Sequence, residues 1–132
     1  MNEILAINDM TVQAMEWRGR VLTVVSENDP LLRRFGQCDY LRLSAGEALE
    51  IQRKQADEVW AVIEGESSLR VEDRREDSPS CGKHQTLELT GEQPKAVLVP
   101  FGVHGLFSAR LDAVLIRLAT HEDSADPEDL IP

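Results

Sequence analysis

Seven side chains carry most of the chemistry open to this sequence. Glu50, Gln52 and Lys54 alternate along "EALEIQRK", and Glu58 and Trp60 follow after a short break in "EVWAVIE". Arg42 lies upstream in "DYLRLS", and His104 lies downstream in "PFGVHGLF". Carboxylate, amine and imidazole groups carry protons. An amide and a guanidinium orient polar ligands, the latter gripping a phosphate bidentately. An indole stacks on a sugar or fills a core.

Residues two apart on a strand share a face. If 48–54 is extended, Glu50, Gln52 and Lys54 point one way and Leu49 and Ile51 the other. Beyond a turn near Gln55–Asp57, Glu58, Trp60 and Val62 share a face, and Val59, Ala61 and Ile63 form an apolar face that reads as core. Two explanations fit the polar row. It is either the solvated outer side of an antiparallel sheet, or it lines the mouth of a barrel, where a few polar groups among apolar walls orient a ligand. In the second case Lys54 faces Glu58 or Glu50 as an ion pair across the cavity, an arrangement equally compatible with simple charge neutralisation.

The elements that must position these residues read as short strands broken by turns. Candidates are 21–26, 39–44, 48–52, 58–64, 67–72, 84–89, 96–100, 104–108 and 113–119, rich in Val, Ile and Leu with Gly, Pro, Asp or Ser between them. Spacing of this kind predicts a β-sandwich or barrel. "EGES" at Glu64–Ser67 is a hairpin in which Gly65 takes a positive φ. "REDSPSCGK" (75–83) is a polar loop, interrupted by Pro79 and Gly82. A short helix is expected in "NDPLLRRFG", capped by Asp29 and closed by Gly36, with a second helical turn in "MTVQAMEWRG". No repeat or linker divides the chain. The expectation is one domain over 1–132, with its core at about 20–120 and an acidic tail at 121–132.

Asp plus Glu number 24 against 14 Lys plus Arg, a net charge of −10, which repels a phosphate backbone and excludes nucleic acid as a partner. No apolar run reaches the ~20 residues needed to cross a bilayer, and "MNEILAINDM" lacks a cationic leader. The expected setting is cytoplasmic. Cys38 and Cys81 form neither a disulfide framework nor a CxxC pair.

The frame from Gly46 through Gln52, Lys54 and Glu58 to Gly65 resembles the first cupin motif residue for residue, with glutamine and lysine standing where that motif has histidines. Pro100, Gly102 and His104 resemble the second motif, one residue short. Within the cupins, "VIEG", "VEDRREDSPSCGK", "LELTGEQ", "PFGVHGLF" and "DPED" together resemble the dTDP-4-dehydrorhamnose 3,5-epimerase family over about residues 46–130. That resemblance implies an all-β cupin jelly-roll barrel of two antiparallel sheets with one or two short helices, a nucleotide-sugar or other carbohydrate ligand, and metal-free proton transfer. The family's histidine and lysine are absent here. Glu58 falls near the lysine position, and His104 in the His-Gly-Phe turn.

Cupin metal sites need imidazoles, and a lysine at a ligand position repels a dication, so no metal or other cofactor is expected. The reading is a metal-independent cupin that acts on or binds a nucleotide sugar, as an isomerase or epimerase, or alternatively as a non-catalytic module for a small ligand or protein. Lys54, Glu58 and His104 are the proton-transfer candidates. Arg42, Glu50, Gln52 and Trp60 are the substrate-orienting ones. A homodimer is expected, since such barrels protect exposed strand edges by pairing.

Overall fold

The computed structural model describes residues 5–25, 36–52 and 56–120. Eleven strands run along them: β1 Thr11–Ala14, β2 Trp17–Arg18, β3 Val21–Leu22, β4 Gln37–Leu43, β5 Ala48–Ile51, β6 Glu58–Glu64, β7 Glu66–Asp73, β8 His84–Thr90, β9 Lys95–Val99, β10 Val103–Ala109 and β11 Ala113–Ala119. They form a five-stranded sheet ordered β1-β9-β6-β11-β4, a four-stranded sheet ordered β5-β10-β7-β8, and the small β2-β3 hairpin. All pairings are antiparallel. The architecture is the all-β jelly roll that the sequence predicts.

Between the sheets lies one apolar core. Trp60, Val62, Val97 and Leu115 come from one side, and Leu69, Val71, Leu87, Val103 and Phe107 from the other. The Trp60 and Phe107 rings meet at 5.0 Å with their planes tilted by 51°. A second, smaller cluster covers the outer side of the five-stranded sheet, where Val59, Ala96 and Leu118 are buried beneath Met15, Val24 and Val25.

No helix is present among the described residues. The helical turn expected in "MTVQAMEWRG" is instead β1 and the hairpin that follows it. Val12 is β-branched and faces the core opposite Val97, so tertiary pairing overrides a weak local signal. The helix expected in "NDPLLRRFG" falls almost entirely outside the described residues, as does the acidic tail. The β6–β7 hairpin turns at Gly65 with φ 77°, where an added Cβ would lie 2.0 Å from the Asp112 carbonyl oxygen. Only glycine fits there.

The 75–83 loop is pinned by a buried carboxylate. Asp73 is fully enclosed, and its Oδ2 accepts from Ser78 Oγ at 2.5 Å, Ser80 Oγ at 2.6 Å and Arg75 Nη2 at 3.0 Å. Arg75 Nε donates to Oδ1 at 2.9 Å. The same residues capture the N-terminal segment, because Arg75 Nη2 donates to the Asn8 carbonyl at 2.7 Å and the Asn8 amide donates to Ser80 Oγ at 2.7 Å. Burial opposes ionisation of Asp73, but the hydrogen bonds from Arg75, Ser78 and Ser80 more than offset it and hold the carboxyl well below its usual range.

Candidate functional site

Three neighbouring strands of the five-stranded sheet bring charged side chains to the interior at one end of the barrel. Arg117 on β11 stands opposite Trp60 on β6 and opposite Asp39 on β4. Its strand alternates with Leu115 in the core, so Arg117 points inward. Arg117 Nε donates to Glu58 Oε2, and Nη1 donates to Asp39 Oδ2 at 2.6 Å. Gln37 Nε2 supports Asp39 with bonds of 3.1 and 3.0 Å to its two oxygens. The Arg117 and Glu58 side chains are 8% and 4% exposed, while Asp39 keeps 33% and so opens toward solvent.

Such a triad is costly to desolvate and survives because each charge is met by its neighbours. Its location is what makes it a site candidate. Level with Arg117 on the neighbouring strand, Trp60 is 1% exposed, and its Nε1 has no hydrogen-bond partner among the described residues. Around it the wall is apolar.

The polar row divides differently from the barrel-mouth alternative. Leu49 and Ile51 pack into the core, and Glu50 therefore lies on the outer side of the four-stranded sheet. The reason is the hydrophobic effect: strand alternation turns one face in, and the leucine–isoleucine face gains by burial what an ionised glutamate would lose. Gln52 accepts from Arg74 Nη1 at 3.4 Å. His104 lies between the inward Val103 and Gly105, where a Cβ added to Gly105 would meet Ile51 and Leu69, so the imidazole also projects outward. Its Nε2 is 2.6 Å from Glu50 Oε1. Glu72 stands opposite His104 on β7, and the Arg74 guanidinium beside Glu72 holds that carboxyl below its usual range. His104 and Glu58 thus occupy opposite sheets and opposite sides of the wall. Arg42 is exposed on the outer face, its guanidinium 5.7 Å from the centre of the Tyr40 ring. Lys54 lies outside the described residues.

Of the seven candidates, Glu58 and Trp60 reach the interior mouth, and Glu50, Gln52 and His104 gather on the outside. The sequence reading missed Asp39 and Arg117. A signal existed for both: Arg117 is the one charge in the apolar run "AVLIRLA", and Asp39 shares a strand face with Leu41 and Leu43. Among the described residues no group of three or more His, Cys, Asp and Glu side chains is placed to hold a metal ion. The two carboxylates at the mouth already flank a fixed cation.

Comparison with solved structures places this architecture. A dTDP sugar isomerase from Desulfovibrio desulfuricans G20 superposes with a TM-score of 0.84 at 17% identity, over 93% of this chain and 83% of that one. The fold is the cupin jelly roll of the dTDP-sugar epimerases. A dTDP-6-deoxy-D-glucose-3,5-epimerase from Legionella pneumophila Philadelphia 1, solved in complex with dTDP-4-keto-L-rhamnose, superposes with a TM-score of 0.82 at 20% identity, over 99% of this chain and 76% of that one. In sequence, the chain is 31% identical over 91 residues to the spore coat polysaccharide biosynthesis protein SpsL of Bacillus subtilis (strain 168), a match covering 67% of this chain. This chain spans 60% of the length of that relative. No family model matches.

Proposed function

We propose that this cupin binds a nucleotide sugar at the inner mouth of the barrel and isomerises it by metal-independent proton transfer, with Glu58 as the proton carrier. The carrying observation is the Asp39–Arg117–Glu58 cluster, a charged group turned into the interior at the barrel mouth. Arg117 orients Glu58 by donating to its Oε2. Asp39, partly open, accepts hydrogen bonds from sugar hydroxyls. The kinship in fold with a dTDP sugar isomerase and with an epimerase holding a dTDP-sugar supports the ligand class. The cation fixed between the two carboxylates supports the metal-free reading, since it occupies the ground a dication would need. Lys54 is the second proton-transfer candidate.

Titration calorimetry with dTDP-glucose tests the binding, and deuterium uptake from heavy water into dTDP-4-keto-6-deoxyglucose tests the chemistry. Uptake in the wild type, lost in Glu58→Gln, is the expected result. Calorimetric silence toward both sugars would sink the proposal.

A second reading, a non-catalytic sugar-binding module, is favoured by one observation. His104, the imidazole among the proton-transfer candidates, is held by Glu50 on the outer face. Binding without deuterium uptake selects it. The proposal also carries a homodimer in a cytoplasmic setting. The outer edge of β4, unpaired among the described residues, and the exposed Tyr40 on that strand support self-association, which sedimentation checks.

A further inference from the structure

Trp60 presents an unusual combination. Its ring is among the largest fully buried side chains, yet its indole nitrogen is the buried side-chain polar atom left without a partner among the described residues. Buried donors are almost always satisfied, so this one calls for an acceptor that the surrounding protein groups do not supply. Position says from where. Trp60 follows Glu58 by two residues on the same inner face and stands directly across from Arg117. Arg117 and Asp39 therefore lie level with it and Glu58 one step nearer the mouth, and the tilted Phe107 ring packs against it.

The geometry points to Trp60 as a hydrogen-bond donor to the ligand, its indole N–H reading an oxygen of the sugar while Glu58 and Asp39 accept from the hydroxyls around it. This rests on the nucleotide-sugar reading above and sharpens it. The site selects a sugar with an acceptor oxygen, either carbonyl or ring, flanked by hydroxyl donors, and it selects by the unpaired donor: a ligand lacking that oxygen leaves the N–H unsatisfied in a dry core and binds correspondingly worse. The indole serves as a donor here, with the Phe107 ring tilted by 51° against it at 5.0 Å.

Trp17 is 43% exposed, and its Nε1 donates to the Gly91 carbonyl at 3.1 Å, outside this site. The Trp17→Phe protein therefore leaves Trp60 as the sole indole, since the chain has 2 tryptophans. Its indole N–H resonance, followed by proton–nitrogen correlation spectroscopy, is expected in the range of an unbonded indole in the free protein. It should move downfield on adding dTDP-glucose. Replacing Trp60 by benzothienylalanine in that background keeps the ring volume and deletes the N–H. The affinity for dTDP-glucose should then fall up to about tenfold, with the melting temperature unchanged or raised, because one unpaired donor is gone. A resonance already at the bonded position in the free protein, indicating a trapped water, overturns the inference. So does an indole unmoved by a sugar nucleotide that calorimetry shows to bind, an outcome that leaves the nucleotide-sugar reading standing. Absence of any calorimetric binding overturns both.

Discussion

Two arginine–carboxylate networks stand in this barrel and differ in kind. The one around Asp73 is closed. Arg75, Ser78 and Ser80 satisfy a carboxylate with no exposure, all lie within a short stretch of chain, and together they tie down the N-terminal segment. The one around Arg117 is assembled from three strands distant in sequence, opens through Asp39, and sits beside an unsatisfied indole. The first has the character of a structural knot, saturated and local. The second keeps its polarity where apolar packing would have served stability as well or better. The difference teaches where to look for function: a buried charge explained by its own loop needs no ligand, while one gathered across a sheet at a barrel mouth invites one.

Breaking each network should separate them. The largest expected effect is at the knot. Asp73→Ala should cost about 3–5 kcal/mol in denaturant unfolding, because it takes the fully enclosed carboxylate from the partly buried Arg75, leaves Ser78 and Ser80 without their acceptor, and frees the 75–83 loop. The acid dependence has a definite sign. Because the folded carboxyl of Asp73 is depressed, its contribution is complete above the unfolded value of about 4 and is lost progressively as pH falls through the folded one. The stability gap between wild type and Asp73→Asn, measured from pH 7 downward, should therefore shrink in acid. A gap that widens would remove the ionised knot from the account.

At the mouth, Arg117→Met should cost less, on the order of 1–3 kcal/mol, and the double-mutant cycle with Glu58→Gln should show a coupling of about 1–3 kcal/mol. Binding of dTDP-glucose should become at least tenfold weaker in Arg117→Met, while Asp73 variants that remain folded keep the wild-type affinity. Equal losses of affinity from both networks would erase the distinction. The smallest effect belongs to the outer face. Glu50→Gln should change stability by less than about 1 kcal/mol, since Glu50 is 43% exposed, and His104→Gln should leave sugar binding intact. A loss of binding there would move the site to the outside of the four-stranded sheet.

Much of the fold was legible along the chain. The period-2 alternation in "DYLRLS", "SLRVED" and "AVLIRLA" marks strands, and Gly65 marks the hairpin between β6 and β7, because these depend only on local backbone sterics and side-chain pattern. Alternation also states that Glu50 and Gln52 share a face and that Glu58 and Trp60 share one. It does not state which face is inside, since either choice satisfies the same period. The partners decided that: Leu49 and Ile51 turned β5 one way, whereas on β6 both faces found cover, Trp60 and Val62 within the barrel and Val59 beneath Met15, Val24 and Val25. The meeting of Asp39, Glu58 and Arg117 likewise belongs to sheet order, which sets β4 and β6 on either side of β11 and which no local spacing encodes. Sequence fixes period and turn because those are properties of a few neighbouring bonds. Only tertiary structure assigns inside and outside, because burial is a property of the whole packed chain.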